Sequence, residues 1–515
     1  MPRYKQMPLE PGQLMLFRQS VDDAIPKGCD VRGFADVMCC LDYSSLDGKC
    51  CERGCPPYPP RVMAKVLGYA YSKGIRSSRR IEQHLSYDVR FMWLAGGLKP
   101  DHNTIARFRK ENWRELKGLF VQSARVCCEA GLVFLNVVST DGSKIRAAAS
   151  KKKMYNQARV ERELAAVEKI LQEAEETDRL EDEQGGCGGD DTLPEHLRDA
   201  KERKSRLEQI AKQLAASESK TVVVSEPESQ AMETTEGVRP AYNLQACVDA
   251  ESQVIVAMDL TQRENDTGQL PAMASQVEDV TGMSADTMLA DGGYVTEETL
   301  RWTEECASDV LMPVSQHWRE SRRDANDLFA NRCFMLDDER DVLICPAGRE
   351  LTFRGEYHTT SGGYRRYQAC DCRSCSFYSQ CVADSLKGKR ISLSVVESQR
   401  AKMREKLANA DSKKLYELRK QTVEPVFGRI KSSLGLSRFL LYGLEGATAE
   451  TALMCIAHNV LKLMGSVAAM AYVASANACV FVTDTICRAL PRLAVATVQA
   501  FAQTRQSHPK ALPAF

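Results

Sequence analysis

Two short apolar runs, "LVFLNVVSTD" and "DTMLAD", each end on an aspartate, Asp141 and Asp291. Runs of β-branched and aliphatic residues of this length read as buried strands. Between them, "AYNLQACVDAESQVIVAMDL" holds two more strand-like runs around a polar turn at Ala250 to Ser252, and a helical stretch follows near Gln269 to Val277. After Asp291, "VTEETLRWTEE" reads as a helix, "DVLMPVS" as a strand, and Asp411 to Met464 as mostly helical again. Strand, hairpin, helix, strand, helix, strand and late helix predict an α/β core with a mixed sheet. A core sewn from pieces this far apart leaves the long stretches between them as excursions from it.

The segment 56–130 is helical in pattern. "PPRVMAKVLGYAYSKGIRSSRRIEQHL" places Val62, Val66, Tyr69 and Ala70 at three-to-four spacing, and Gly74 interrupts before Ser77 or Ser78 caps a new helix. "KPDHNTIARFRK" starts another. Short helices edged with Arg76, Arg79, Arg80, Arg107, Arg109 and Lys110 suit a domain that docks on DNA. They suit equally a small bundle with a solvated basic face. Further on, Val160, Leu164, Val167 and Leu171 mark one amphipathic helix, and Leu207, Ile210 and Leu214 a second. The glycine-rich "EQGGCGGDD" separates them, so the pair predicts a helical hairpin. The expected domains are an arm over 1–55, helices over 56–130, core over 131–152 and 237–315, the hairpin over 153–236, a Cys-rich insert over 316–400, late core helices over 401–464 and a tail over 465–515.

The 69 Lys and Arg balance the 69 Asp and Glu, so net charge names no partner. Local charge is different: from Pro56 to Lys153 basic residues exceed acidic ones by about a dozen, while Glu161 to Glu236 is acidic. The opening lacks the basic-then-apolar pattern of a signal peptide, so the 20 cysteines are expected as reduced thiols in a cytoplasm. Val467 to Val482 is short, contains Asn477 and runs into Asp484, which argues against a membrane span.

The candidate chemistry starts at Asp141, which is followed by Lys144, Arg146 and Lys151 to Lys153. A strand end before a solvated basic turn explains this blandly; a metal-holding carboxylate beside a polyanion explains it more sharply. A third carboxylate, Glu424, sits among Arg419, Lys420, Arg429, Lys431 and Arg438. Three carboxylates can hold two divalent ions about 4 Å apart, one at the attacking and one at the leaving oxygen. Magnesium suits oxygen ligands and leaves room for substrate phosphate. In the Cys-rich segment, Cys345, Cys372, Cys375 and Cys381 have spacings compatible with a tetrahedral zinc, with Cys370 as a competing ligand. Reduced buried cysteines are the alternative. Asp249 and Asp266 are accounted for as a hairpin-turn residue and a helix cap.

From Pro56 to Met464 the chain resembles bacterial insertion-sequence transposases of the DDE class, in the branch with a Tyr-Arg-Glu-Lys signature. The resemblance rests on ordered motifs: "PDHNTIARFR", "STDGSKIRAAAS", "YNLQACVD" with "NDTGQL", "LADGGYVTEETL", "TVEPVFGRIK" and "AHNVLKL". It implies an RNase H-like catalytic core with Asp141, Asp291 and Glu424 as catalytic residues holding two magnesium ions. It further implies double-stranded DNA, as terminal inverted repeats and target, acted on by a dimer on paired ends near the bacterial nucleoid. Lys144, Arg146, Tyr416, Arg419, Lys420 and Lys431 would contact that DNA. The signature spacing is Tyr-x2-Arg-x3-Glu-x6-Lys, but here four residues separate Arg419 from Glu424, and Lys420 has the expected spacing instead. Pro425, directly after Glu424, predicts a kink or a fresh helix start. Two rival readings share these residues: an RNase H-like nuclease without strand transfer, and an inactive relative that only binds DNA.

Overall fold

A computed structural model describes residues 20–48, 57–183, 195–217, 220–314, 329–330, 333–337, 339–359, 362–369, 371–382, 388–466, 469–471, 473–474 and 477. The chain divides into two compact units, one of residues 1–132, 432–436 and 445–515, the other of 133–431 and 437–444.

The first unit is helical: α1 (Asp30–Cys39), α2 (Ser44–Asp47), α3 (Pro60–Ser72), α4 (Ser78–Tyr87), α5 (Val89–Leu94), α6 (His102–Glu111) and α7 (Trp113–Glu129). Pro60 opens α3, where its missing N–H costs nothing, and Asp101 caps α6 by accepting from the amides of Asn103 and Thr104. On α3 a Cβ at Gly68 would stand 3.1 Å from the Phe34 ring. The glycine thus lets α1 close in, and Phe34 meets Tyr69 edge-on at 5.4 Å. Residues 20–48 are therefore part of this unit and not a separate arm. Ser77 is the N-cap of α4 but makes no side-chain cap bond. The neighbouring Ser78 hydroxyl instead accepts from Arg109 at 2.6 Å.

The second unit carries the mixed sheet. Its strands and helices run β1 (Val137–Arg146), β2 (Met154–Asn156), α8 (Gln157–Glu183), α9 (Glu195–Ala216), β3 (Thr221–Val223), β4 (Gln230–Thr234), β5 (Gly237–Asp249), β6 (Ile255–Thr261), α10 (Leu270–Thr281), β7 (Thr287–Leu289), α11 (Glu297–Glu305) and β8 (Asp309–Leu311). The main sheet has the order β4-β5-β1-β7-β8, with β6 also on β5. β1 is antiparallel to β5 and parallel to β7, which is parallel to β8. Val160, Val167, Leu207, Ile210 and Leu214 bury one seam between α8 and α9, as the apolar spacing predicts. The hairpin's glycine-rich tip lies outside the described residues.

A second, antiparallel sheet follows, of β9 (Met335–Asp337), β10 (Val342–Ile344), β11 (Glu350–Thr359), β12 (Gly362–Ala369) and, after α12 (Tyr378–Cys381), β13 (Arg390–Ser394). Then come α13 (Glu397–Ala408), α14 (Ala410–Gly428) and α15 (Gly443–Met464). From Glu445 onward α15 clusters with the first unit, whereas the expectation placed all of 401–464 with the core. Among the described residues no helix is long and apolar enough to cross a membrane; most of Val467 to Val482 lies outside them.

Candidate active site

Asp141 does not end its strand. β1 continues to Arg146 because β5 offers a partner all along it, down to the Arg146–Ala241 pair. The polar "GSKIR" that reads as a turn is thus ladder. In the parallel pairing of β1 with β7, Ser139 stands opposite Leu289. Asp141 and Asp291 each follow that pair by two residues, so they leave adjacent strands at one level. Each carboxylate is steadied by a nearby amide: Gly142 donates to Asp141 Oδ1 at 2.9 Å and Gly293 to Asp291 Oδ1 at 2.8 Å. Burial pushes the Asp141 carboxyl up to about 6; Arg419 opposes that shift, and Asp291 and Asp266 reinforce it.

Helix α14 supplies the counter-charge. The Arg419 guanidinium lies 2.9 Å from Asp141 Oδ2, with both side chains largely buried. Tyr416, one turn earlier, has its phenol pushed up by burial, against the pull of Arg419. Lys431 is lowered by burial, and Asp141 works in the opposite sense. Pro425 neither kinks α14 into two helices nor starts a new one; the helix runs through it to Gly428. A proline strips the carbonyl four residues earlier of its donor, and here the Gln253 side chain donates to the Gln421 carbonyl at 3.2 Å instead. A short π-helical turn, Arg429–Ser433, follows. Glu424 is exposed on α14. It sits five residues past Arg419, away from the face that Arg419, Val423, Val426 and Ile430 turn inward. Lys420 is exposed as well, so the cation that reaches the carboxylates is Arg419.

Asp266 is not a helix cap. The N-cap of α10 is Gln269, and the Asp266 side chain turns inward. Its Oδ1 accepts from Asn243 Nδ2 at 2.7 Å and from Gln245 Nε2 at 2.5 Å. The buried Tyr294 hydroxyl donates to the same Gln245. A Cβ on Gly142 would collide with Asp266 Oδ1, so glycine next to Asp141 admits this third carboxylate. Asp249, by contrast, serves its turn as expected, accepting from the amides of Phe134, Leu135 and Ser252.

The basic residues separate into two groups. Arg109 is 2% exposed and donates to the Tyr71 hydroxyl, the Arg76 carbonyl and Ser78. Arg76 is buried too, bonded to the Gly435 carbonyl and to Glu450 at 2.6 Å. These two are core residues of the first unit, which corrects their expected place on a DNA-facing surface. Arg79, Arg80 and Arg107 are exposed. In the second unit Lys144 is half-buried. Arg146 pairs with Glu236 at 2.6 Å and lines a cleft of about 530 Å³ with Lys151, Lys152, Arg159, Arg239 and Arg438.

Cys345, Cys372, Cys375 and Cys381 all line one small cavity beside the second sheet. The amide of Arg349 donates to Cys345 Sγ at 3.3 Å and that of Lys389 to Cys372 Sγ at 3.4 Å. Burial raises the Cys381 thiol, Lys389 opposes this, and the other three thiols reinforce it. Among the described residues, however, no three acidic, thiol or imidazole groups stand close enough to cage a metal ion. Cys370 lies outside the described residues. For the carboxylates this matters less. Magnesium is commonly held by one or two carboxylates plus water and substrate phosphate, and the level pair Asp141 and Asp291 fits that donor set.

Residues 344–464 match the family described as "Transposase DDE domain", and residues 19–111 match "Transposase domain (DUF772)". The first match takes in the four cysteines and α14; neither reaches Asp141 or Asp291. A comparison with curated proteins finds no match.

Proposed function

We propose, on the premise that this chain belongs to the insertion-sequence DDE transposases, that it cuts the ends of its own mobile element and joins them to target DNA. The observation that carries the reading is the level pair of Asp141, on β1, and Asp291, just past the end of the parallel neighbour β7, with Arg419 2.9 Å from Asp141.

In this reading the second unit's main sheet is an RNase H-like core. A water oxygen attacks the phosphorus at the element's end, loses its proton, and the bridging oxygen leaves as a free 3′ hydroxyl. That hydroxyl then attacks a target phosphodiester, and the displaced target oxygen leaves as a new 3′ hydroxyl. Two bound magnesium ions would supply Lewis-acid stabilisation of the entering and leaving oxygens. Asp141 and Asp291 would hold them, and the resemblance nominates Glu424, exposed on α14 without DNA, as the third carboxylate that would turn toward them. Arg419 holds Asp141 in the absence of DNA and passes to a phosphate oxygen as substrate arrives. Lys144, Arg146, Tyr416, Lys420 and Lys431, with Arg79, Arg80 and Arg107 of the first unit, would neutralise the backbone. The acting form is a homodimer on paired ends, in the bacterial cytoplasm at the nucleoid. Cys345, Cys372, Cys375 and Cys381 share one cavity and two already accept amide hydrogen bonds, so they would hold a structural zinc once drawn closer together than they stand here.

The test is a magnesium-dependent cleavage and joining assay on DNA carrying the element's ends, wild type against Glu424→Gln. Cleavage and joining by the wild type alone supports the reading. Cleavage without joining makes the protein a nuclease, and binding without either makes it an inactive relative.

A further inference from the structure

We infer that the outward face of the second sheet is a stacking platform for unpaired nucleotides, with Tyr357 and Tyr364 taking a base and Arg366 its phosphate. The sheet is two-faced because side chains alternate along each strand. One face of β11, β12 and β13 turns Leu351, Tyr367 and Ile391 into the core that borders the cysteines. On the other face the antiparallel register sets Tyr357 opposite Tyr364, and their rings stack with centroids 5.6 Å apart and planes inclined by 22°. Both tyrosines are half-buried, so each keeps part of its surface in solvent. Arg366, two residues beyond Tyr364, lays its guanidinium 4.7 Å from the Tyr357 ring centroid. β13 adds Ser394 opposite Tyr364 and Ser392 opposite Arg366, side chains too small to cover the rings.

Cross-strand aromatic pairs stabilise sheets in general, so the rings alone name no ligand; the charges beside them do. Arg365 and Arg366 are neighbours that point to opposite faces. Arg365 is paired twice, with Asp341 at 2.8 Å and Glu356 at 3.2 Å. Arg366 has neither a carboxylate nor a hydrogen-bond acceptor among the described residues, although it is half-buried. Arg390, exposed and opposite Gln368 on the same face, likewise has none among them. Glu350, at the start of β11, is held by Arg340 at 2.8 Å. Two cations without anions beside a stacked aromatic pair complement a chain that alternates flat bases with phosphates. A duplex hides its base faces, so the occupant is a single strand. Only the origin of that strand, at an opened element end, rests on the transposase reading.

The experiment reads the fluorescence anisotropy of a labelled single-stranded oligothymidylate, and of a duplex of equal length, as the full chain is titrated in chelator. Wild type is compared with Tyr357→Leu, Tyr357→Phe and Arg366→Gln, with thermal melting as the check on folding. Tyr357→Leu should weaken single-strand binding about tenfold and leave duplex binding unchanged, while Tyr357→Phe, which keeps the ring, leaves both unchanged. Arg366→Gln should reduce the salt dependence of single-strand binding by about one phosphate contact. An unchanged single-strand affinity in folded Tyr357→Leu overturns the inference, as does an equal loss on the duplex. If Tyr357→Leu does not fold, photocrosslinking of an iododeoxyuridine-substituted single strand to the wild type decides. Crosslinks at Tyr357 or Tyr364 support the platform, and their absence overturns it. Because chelator prevents cutting, a failed platform leaves the cleavage and joining assay untouched, and a failed cleavage assay leaves the platform untouched.

Discussion

The two units bury arginine for opposite ends. In the first, Arg109 is sealed among neutral acceptors and Arg76 is closed against the fully buried Glu450. In the second, Arg419 rests on Asp141, whose own carboxyl is already pushed up by burial and by neighbouring aspartates. One arrangement is a structural network whose removal leaves buried acceptors unpaired. The other is a cation set against an excess of negative charge, the arrangement that a metal ion and a phosphate would displace in the proposed function. A buried ion pair by itself therefore says little about role; the charge balance around it decides.

The sharpest way to break this contrast is at the second unit. Asp141→Asn or Asp291→Asn should lower cleavage on the order of a thousandfold, the loss of several kcal/mol of transition-state stabilisation, with DNA affinity nearly kept. Residual cleavage near wild type in either would remove that residue from the site. Next in size is Arg109→Ala, which leaves Tyr71, Ser78 and the Arg76 carbonyl short of a donor. It should cost about 3 kcal/mol in stability, seen as a fall in Tm, and a Tm unchanged from wild type would show that the network is dispensable.

The Asp141 environment predicts a comparable effect with a definite sign. Its folded pKa of about 6 exceeds the ordinary carboxylate value, so the unfolded chain ionises first as pH rises. Stability is lost between about pH 4 and pH 6, by up to roughly 3 kcal/mol. In chelator, the Tm difference between Asp141→Asn and wild type should therefore move in the variant's favour across that window. A pH-independent difference would place Asp141 in an ordinary solvated setting. The smallest effect is expected from Arg79→Ala, Arg80→Ala and Arg107→Ala combined. Tm should hold while the salt dependence of DNA binding flattens by up to about three phosphate contacts. An unchanged slope would make that exposed face merely solvated.

Much of the site was legible in the chain. Strand-like runs lead to Asp141 and Asp291 because period and residue type report local structure, whereas Glu424, nominated by its basic neighbours in sequence, stands exposed on α14 and away from the Arg419 face. Two signals were present but quiet. Ile105 and Arg109 are spaced i to i+4 on α6, which puts the arginine on the buried face. Asn243 and Gln245 alternate with Leu244 and Ala246 in a strand buried on both faces, which marks one face as looking onto something polar.

By itself the sequence determined the kinds of element, their order, the helical pair at 157–216 and the cysteine cluster, since these follow from periodicity, turn chemistry and spacing. Tertiary structure alone decided which charges meet. Strand pairing over the whole of β5 carried β1 past Asp141, and the absence of a side chain at Gly142 let Asp266 in beside it. Packing chose Arg419 over Lys420, because neighbours on a helix point about 100° apart and only one of them can face the sheet.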